Sequence, residues 1–337
     1  MESQAPKPRI LAFEITRRCR YKCLHCRAGA DVKAADELTA EQKKHILRSV
    51  AKYSKCVIIL TGGEPMECPE FYDLAVYGRQ LGLRMVMATC GYPIDEKSVQ
   101  KIKAAGILAV SLSIDGAEAK VHDSLRGVSG AYDSVVRAAN ICRQAGLAFQ
   151  INTTITKGNI DQVEIIAALS EKLGAKCFNP FILVPTGRGK AMANDVLEAD
   201  EYERLLERLL TIKQNAGIEV RVTCGPQFAR VTRQSGAEAA KGCLGADEFG
   251  FISHRGDVQM CGFLDISAGN LVENDFDFAG IWEKSEFFNR IRGLSSYGGR
   301  CGRCGYVKSC GGCRARAFGI TGDYMAEDPI CSYRPGG

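Results

Sequence analysis

The sequence lacks any long apolar run, and none of its hydrophobic stretches approaches the roughly 20 residues that a membrane-spanning helix needs. A transmembrane span is therefore not expected. The polar stretch from Met1 to Arg9 carries two prolines and no apolar segment of the kind an export signal requires. Neither sign of charge dominates: the formal net charge is +5 over 337 residues, which suits an anionic small molecule or peptide at least as well as nucleic acid. Short-period repeats and low-complexity tracts are also missing.

Cysteine, by contrast, is abundant at sixteen residues. A secreted disulfide framework would need a small, loop-rich chain and an export signal, so a reducing compartment with metal-bound thiols is the better reading, and a cytoplasmic location is expected. The length permits a sizeable core, consistent with one large domain and an appendage.

From Arg9 to about Val184 short β-rich runs alternate with amphipathic segments. Strands are predicted at Ile10 to Ile15, Val57 to Leu60, Leu83 to Ala88, Leu108 to Ile114, Ala148 to Thr154 and Lys176 to Val184. Helices are predicted at Thr39 to Lys52, Pro69 to Leu81, Asp95 to Ala104, Tyr132 to Gln144 and Asn159 to Leu173, with Gly82, Gly106, Gly146 and Gly174 just past their ends. Repeated βα units imply a parallel sheet flanked by helices, and six units predict a partial (β/α)6 TIM-like barrel with functional residues at the C-terminal strand ends. A further helix is expected at Glu198 to Asn215. The expected division is residues 1–215 for the barrel and 216–337 for a small cysteine-rich domain ordered by metal rather than by a large apolar core, where Phe278 to Arg292 is the one long periodic segment.

Directly after the first strand stand Cys19, Cys23 and Cys26, spaced x3 and x2. Three thiolates can hold three irons of a [4Fe-4S] cluster and leave the fourth open to chemistry. A structural zinc site closes with four ligands, and His25 lies inside the loop where its ring reaches the same metal poorly. At the end of the second strand comes Thr61-Gly62-Gly63-Glu64-Pro65, which read alone is only a turn.

Together, the CxxxCxxC loop and the Gly-Gly-Glu-Pro turn resemble the radical S-adenosylmethionine (SAM) superfamily. The resemblance implies that SAM binds the open iron and is cleaved to a 5′-deoxyadenosyl radical, with Cys19, Cys23 and Cys26 as cluster ligands. It implies contacts from Gly62, Gly63 and Glu64 to the SAM amine, and His25 near the adenine. Ser113 and Asp115 would meet the ribose at the end of the fourth strand, Asn152 and Thr154 stand at the end of the fifth, and Arg126 would meet the methionyl carboxylate.

A second group of cysteines comprises Cys301, Cys304, Cys310 and Cys313, then Cys331, preceded by Cys243 and Cys261. The paired spacings alone read as a zinc ribbon, but seven cysteines overfill one four-ligand site. The pattern is similar to the SPASM extension of radical SAM enzymes, which carries auxiliary [4Fe-4S] clusters, although the spacing from Cys310 to Cys313 is one residue shorter than usual. That resemblance assigns Cys301, Cys304, Cys310 and Cys331 to one cluster and Cys243, Cys261 and Cys313 to another. The fourth ligand of the latter is open: Cys224 is one option, an iron open to substrate a second, and absence of that cluster a third. One or two auxiliary clusters are expected.

Of the remaining cysteines, Cys142 and Cys177 fall on core positions, while Cys68 and Cys90 sit near strand-end loops as candidate hydrogen donors. His45, His122 and His254 read as loop or solvent residues.

Strings such as Glu14-Ile15-Thr16-Arg17-Arg18-Cys19, Leu183-Val184-Pro185-Thr186-Gly187-Arg188-Gly189 and Cys310-Gly311-Gly312-Cys313-Arg314-Ala315-Arg316-Ala317 resemble the tetrapyrrole-modifying branch, with Cys90 standing where asparagine is expected. That branch implies an iron porphyrinoid with carboxylate side chains, and a reducing partner such as flavodoxin or ferredoxin. Neither nucleic acid nor membrane is an expected partner. The first reading is oxidative decarboxylation of Fe-coproporphyrin III propionates to haem b. Removal of acetate groups from 12,18-didecarboxysirohaem and propionate removal toward haem d1 are related alternatives. A peptide-modifying maturase is another, although only about nine residues precede the first strand here, short of the N-terminal recognition domain such enzymes often carry. A non-catalytic iron-sulfur or zinc scaffold is the alternative of a different class. Arg17, Arg18, Arg27, Arg188, Lys190, Arg314 and Arg316 are candidate partners for substrate carboxylates.

Overall fold

Strand-forming runs separated by capped helices build a single open sheet. A computed structural model describes residues 5–31 and 36–335; part of the polar stretch Met1 to Arg9 lies outside them, as do the two C-terminal residues. Strands β1 (Ile10–Thr16), β2 (Val57–Gly62), β3 (Arg84–Thr89), β4 (Ala109–Ser113), β5 (Ala148–Ile155) and β6 (Cys177–Ile182) lie side by side in chain order and all run parallel. The first strand is buried along almost its whole length, as a strand covered on both faces must be, whereas β5 alternates buried and half-buried residues.

The helices pack outside: α1 (Ala40–Tyr53), α2 (Phe71–Gln80), α3 (Glu96–Ala104), α4 (Ala119–Arg126), α5 (Ala131–Gln144), α6 (Val163–Leu173) and α7 (Ala199–Asn215). Thr39 and Gln42 close a capping box at the start of α1, and Asp95 and Ser98 do so for α3, satisfying backbone donors that the first turn leaves free. The four glycines expected past helix ends all have positive φ.

The sheet is open, as expected of a partial barrel, and it continues on both sides into the cysteine-rich segment. Strand β7 (Glu219–Val220) extends it beyond β6, while β8 (Phe249–Ile252) runs parallel to β1 and is followed by antiparallel β9 (Asp257–Gln259) and β10 (Gly269–Asn270). The C-terminal third thus shares one sheet with the barrel.

Three local expectations need correction. The helix α4 lies in a stretch for which no helix is predicted, because eight residues show too little periodicity to stand out. The periodic stretch Phe278 to Arg292 is two helices, Phe278–Lys284 and Glu286–Arg292. Ser285 leaves helical geometry between them and its Oγ accepts from the Phe288 amide at 3.4 Å. His122 and His254 are buried rather than solvent-facing, each held by a hydrogen bond, and only His45 is exposed.

Candidate active site

The chain leaves β1 at Thr16 and enters the cysteine loop, which is fixed at several points. Cys19 donates its amide to Asp31 O at 2.9 Å, and Leu24 donates to Leu125 O at the end of α4 at 2.9 Å. Arg188, just after β6, donates Nε to Cys23 O at 2.9 Å and Nη1 to Ala30 O at 2.7 Å. Gly187 is needed for this clasp, since a Cβ there would stand 2.2 Å from Arg27 O.

Gly62 and Gly63 serve the same loop. A Cβ on Gly62 would lie 2.0 Å from Thr16 O and one on Gly63 2.2 Å from Arg18 O, so only glycine lets the end of β2 press against the start of the loop. The Gly63 and Glu64 amides donate to Thr16 O and Arg18 O at 2.8 and 2.7 Å. The Glu64 carboxylate is fully buried and turned toward β3. One oxygen accepts from Thr89 Oγ1 at 2.7 Å, Cys90 N at 3.0 Å and Cys90 Sγ at 2.9 Å, and the other accepts from Met66 N at 3.3 Å. In these contacts it ties β2 to β3.

Asp115 and Arg126 form a buried pair, Oδ2 to Nη2 at 2.6 Å, beneath the cysteine loop. His25 Nε2 stands 3.6 Å from the same carboxylate, and Arg126 Nη1 donates toward Cys23 Sγ at 3.9 Å. Burial works against the Asp115 charge, but Arg126 and then His25 hold its carboxyl below the ordinary range. Burial pushes the His25 imidazole down to about 4, with Asp115 opposing, so the ring is neutral at neutral pH. The expected ribose and carboxylate contacts thus sit in one ion-paired network. Thr154 donates its amide to Asp115 Oδ1 at 2.8 Å, Asn152 Oδ1 accepts from Gln150 Nε2 at 2.8 Å, and Ser113 is half-buried at the end of β4.

Of the spare cysteines, Cys68 is buried and donates to Glu70 at 3.0 Å under Lys43, while Cys142 and Cys177 are core residues as expected. Cys90 is different, because its thiol lies between Glu64 and Cys19. Interaction with Cys90 lowers the Cys19 thiol, and burial raises Cys90 well above its usual value.

A feature the sequence reading passed over is Glu14, a carboxylate inside an apolar strand run. It is fully buried, with Arg27 Nη1 at 3.2 Å, His254 Nδ1 at 3.1 Å and Arg17 Nε at 3.5 Å. Burial opposes its charge, but Arg27, His254 and Arg17 bring it down to about 2. A lone acid in a run that otherwise reads as a buried strand is the signal that marks it.

The candidate carboxylate-binding cations divide sharply. Arg314 and Arg316 are buried and structural: Arg316 pairs with Asp328 at 2.8 Å, and Arg314 donates to Ala326 O at 2.6 Å and Tyr324 O at 3.1 Å. Arg17 and Arg27 face Glu14, and Arg188 holds the cysteine loop. Arg18 and Lys190 are exposed.

In the C-terminal third, Cys301, Cys304, Cys310 and Cys331 line one pocket together with Arg230, Arg300 and Tyr333. Arg314 Nη2 donates to Cys301 Sγ at 3.5 Å and Gly312 N to Cys310 Sγ at 3.4 Å. The other sulfurs gather separately: Cys313 interacts directly with Cys224, and its charge acts on Cys243 and Cys261. Among the described residues no three His, Cys, Asp or Glu side chains are placed to hold a single metal ion. No helix among the described residues is long and apolar enough to cross a membrane.

An open sheet of six parallel βα units, with a three-cysteine loop after β1 and a Gly-Gly-Glu-Pro turn after β2, defines an enzyme class, and residues 13–169 match the model of the radical SAM superfamily. The chain belongs to that superfamily. It is 41% identical over 344 aligned residues to the "AdoMet-dependent heme synthase" of Methanosarcina barkeri, covering 98% of this chain and 97% of that protein. It is 30% identical to the "Fe-coproporphyrin III synthase" of the same organism, over 98% of this chain and 88% of the relative. Its fold is that of Streptococcus suis SuiB bound to S-adenosylmethionine, with a TM-score of 0.74 and 18% identity over 97% of this chain and 77% of that one.

The cofactors of such an enzyme are SAM and a [4Fe-4S] cluster, and the residues present fit them. Around the cysteine loop His25 Nδ1, Arg126 Nε and Arg188 Nη2 are buried with no hydrogen-bond partner among the described residues, nitrogen atoms suited to an anionic or polar ligand. In the C-terminal pocket four thiols and two donors already directed at sulfur match what an auxiliary cluster needs.

Proposed function

We propose that this chain converts two propionate side chains of Fe-coproporphyrin III to vinyl groups, making haem b, with electrons from a small reducing protein of the flavodoxin or ferredoxin kind. The observation that carries this reading is the full-length similarity to a protein named AdoMet-dependent heme synthase. When bound and reduced, the first-loop cluster supplies the electron that cleaves the SAM sulfonium to a 5′-deoxyadenosyl radical, chemistry that belongs to the cofactor.

The chain's own part is binding, orientation and exclusion of water. Cys19, Cys23 and Cys26 hold the cluster, and the orphaned nitrogens of His25, Arg126 and Arg188 receive SAM. The buried Asp115 carboxylate keeps the Arg126 guanidinium fixed and charged beneath the loop. Arg18 and Lys190 present exposed positive charge to propionate groups. Phe181 near the end of β6 and Phe263 just after Cys261 are half-buried, with ring centroids 6.3 Å apart, and offer flat apolar surface to a macrocycle. Loss of a hydrogen atom from the propionate β-carbon and then of CO2 leaves a vinyl group and one surplus electron, which an auxiliary cluster would accept, so the reaction is a net oxidation.

A second reading, removal of acetate groups from 12,18-didecarboxysirohaem, is favoured by the similarity to the Fe-coproporphyrin III synthase. The two are separated by incubating the reconstituted, reduced protein with SAM and each porphyrinoid in turn. Mass loss of two CO2 with the accompanying hydrogens from Fe-coproporphyrin III supports the first. Acetate removal from didecarboxysirohaem alone replaces it with the second.

A further inference from the structure

The outer helices cover one set of alternating strand residues, and the other set is left on the concave face of the sheet. Leu60, Met87, Leu112 and Ile151 belong to the core under the helices. Their neighbours Thr61, Ala88, Ser111 and Gln150 point the other way, since successive strand residues face opposite sides, and all four are half-buried although they lie within strands. A filled barrel interior would bury them, so this concave face is a hollow open to solvent.

The strand register sorts the hollow into layers. Ser113 pairs with Asn152 and Asn152 with Asn179, at the level of residues that the family resemblance gives to SAM. Two residues lower, roughly 6.6 Å nearer the bottom of the sheet, Ala88 pairs with Ser111 and Ser111 with Gln150. Below them the face turns apolar, with Ile59 beside Val86 and Ala109 beside Ala148.

Gln150 is held in place. Its Nε2 donates to Asn152 Oδ1 at 2.8 Å, and the same oxygen accepts from Asn179 Nδ2 at 3.3 Å, while Thr223 Oγ1 steadies Asn179 by donating to its Oδ1 at 2.8 Å. That leaves Gln150 one free N–H. Ser111 Oγ has no hydrogen-bond partner among the described residues and is not shut off from the hollow. The charged residue level with Thr61 is Glu14 on β1, three strands from Ser111, and it already holds Arg27 and Arg17.

We propose that Ser111 and Gln150 seat the carboxylate that leaves as CO2, holding it with two neutral donors above an apolar floor, while exposed cations hold the propionates that stay. This rests on the haem-forming reading and names the side chains that select the reacting group. The carboxyl carbon of a propionate lies two bonds beyond the β-carbon that loses hydrogen, so a side chain attacked at the SAM level reaches into the layer beneath it. When the bond from the α-carbon to the carboxyl breaks, one of its electrons completes the vinyl double bond, the other is the surplus electron taken by an auxiliary cluster, and a charged group becomes neutral CO2. A cation paired with that carboxylate would stabilise the starting state more than the transition state and slow the loss. Neutral donors orient the group without that penalty, and the alanine, valine and isoleucine floor favours the apolar product.

The test is binding and turnover by the anaerobically reconstituted full-length protein, with Fe-coproporphyrin III as substrate and haem b as the porphyrin that has lost the reacting carboxylates. Ser111→Ala breaks no hydrogen bond among the described residues and is expected to weaken substrate binding relative to haem b binding by about three- to tenfold. Gln150→Lys places an ammonium in the seat. It is expected to tighten substrate binding while slowing vinyl formation at least about tenfold, a split that a merely structural role would not give. Equal effects of Ser111→Ala on substrate and product, or binding and turnover both weakened by Gln150→Lys, overturns the inference. Should the lysine variant fail to fold, Ser111→Ala set against Ser111→Thr, which keeps the hydroxyl and is expected to restore substrate binding, decides. Wild-type protein that makes no vinyl group from Fe-coproporphyrin III removes the haem-forming reading itself, whereas wild-type turnover with both Ser111→Ala and Gln150→Lys behaving as wild type overturns this inference alone.

Discussion

The Cys90 thiol, with one proton to donate, stands 2.9 Å from the Glu64 carboxylate and within reach of the Cys19 sulfur, so a residue that departs from the family pattern joins the Gly-Gly-Glu-Pro turn to a cluster ligand. A hydrogen bond to a ligand sulfur makes a cluster easier to reduce. Cys90→Ala is therefore expected to shift the first-loop cluster to a more negative potential in an electron paramagnetic resonance redox titration. Cys90→Asn, which restores a donor, is expected to recover most of the shift. Identical potentials in all three proteins would show that the contact has no electronic consequence.

The Asp115–Arg126 pair predicts an asymmetry between single and double substitutions. Arg126→Met leaves a carboxylate buried without its partner and is expected to cost about 3–5 kcal/mol of stability. Asp115→Asn combined with Arg126→Met removes both charges and is expected to recover a large part of that loss. Denaturant titration of the three proteins measures it, and additive losses would indicate that the two groups are not coupled.

Glu14 gives a pH dependence of defined sign. Its folded-state value of about 2 lies below the ordinary 4.5, so its contribution is fully present above about pH 5 and is lost as pH falls through the folded value. The difference corresponds to about 3 kcal/mol at neutral pH. The stability gap between wild type and Glu14→Gln is expected to be widest at pH 7 and to narrow steadily toward pH 3. A constant gap would show that Arg27, Arg17 and His254 do not hold the carboxylate ionised.

Much of this organisation is legible in the sequence for a physical reason: parallel βα units repeat two distinct hydrophobic periods, and glycine or a capping residue marks each change. The six barrel strands are read correctly in position. Residues whose role depends on three-dimensional charge pairing are not. Arg314 and Arg316 read as substrate cations because nothing in the local sequence shows that Asp328 and the carbonyls of Tyr324 and Ala326 fold back onto them. Glu14 and His254 lie 240 positions apart and meet only because β8 pairs with β1. Cys224 is isolated in sequence from Cys313 and meets it only through the turn after β7.

The central claim is that a radical made at the first cysteine loop removes hydrogen from a propionate β-carbon. The most direct measurement uses Fe-coproporphyrin III deuterated at those carbons, with mass spectrometry of both products after incubation with SAM and a reductant. Deuterium in the 5′-deoxyadenosine, together with vinyl groups on the porphyrin, is the expected result. Unlabelled 5′-deoxyadenosine with the porphyrin unchanged would contradict it.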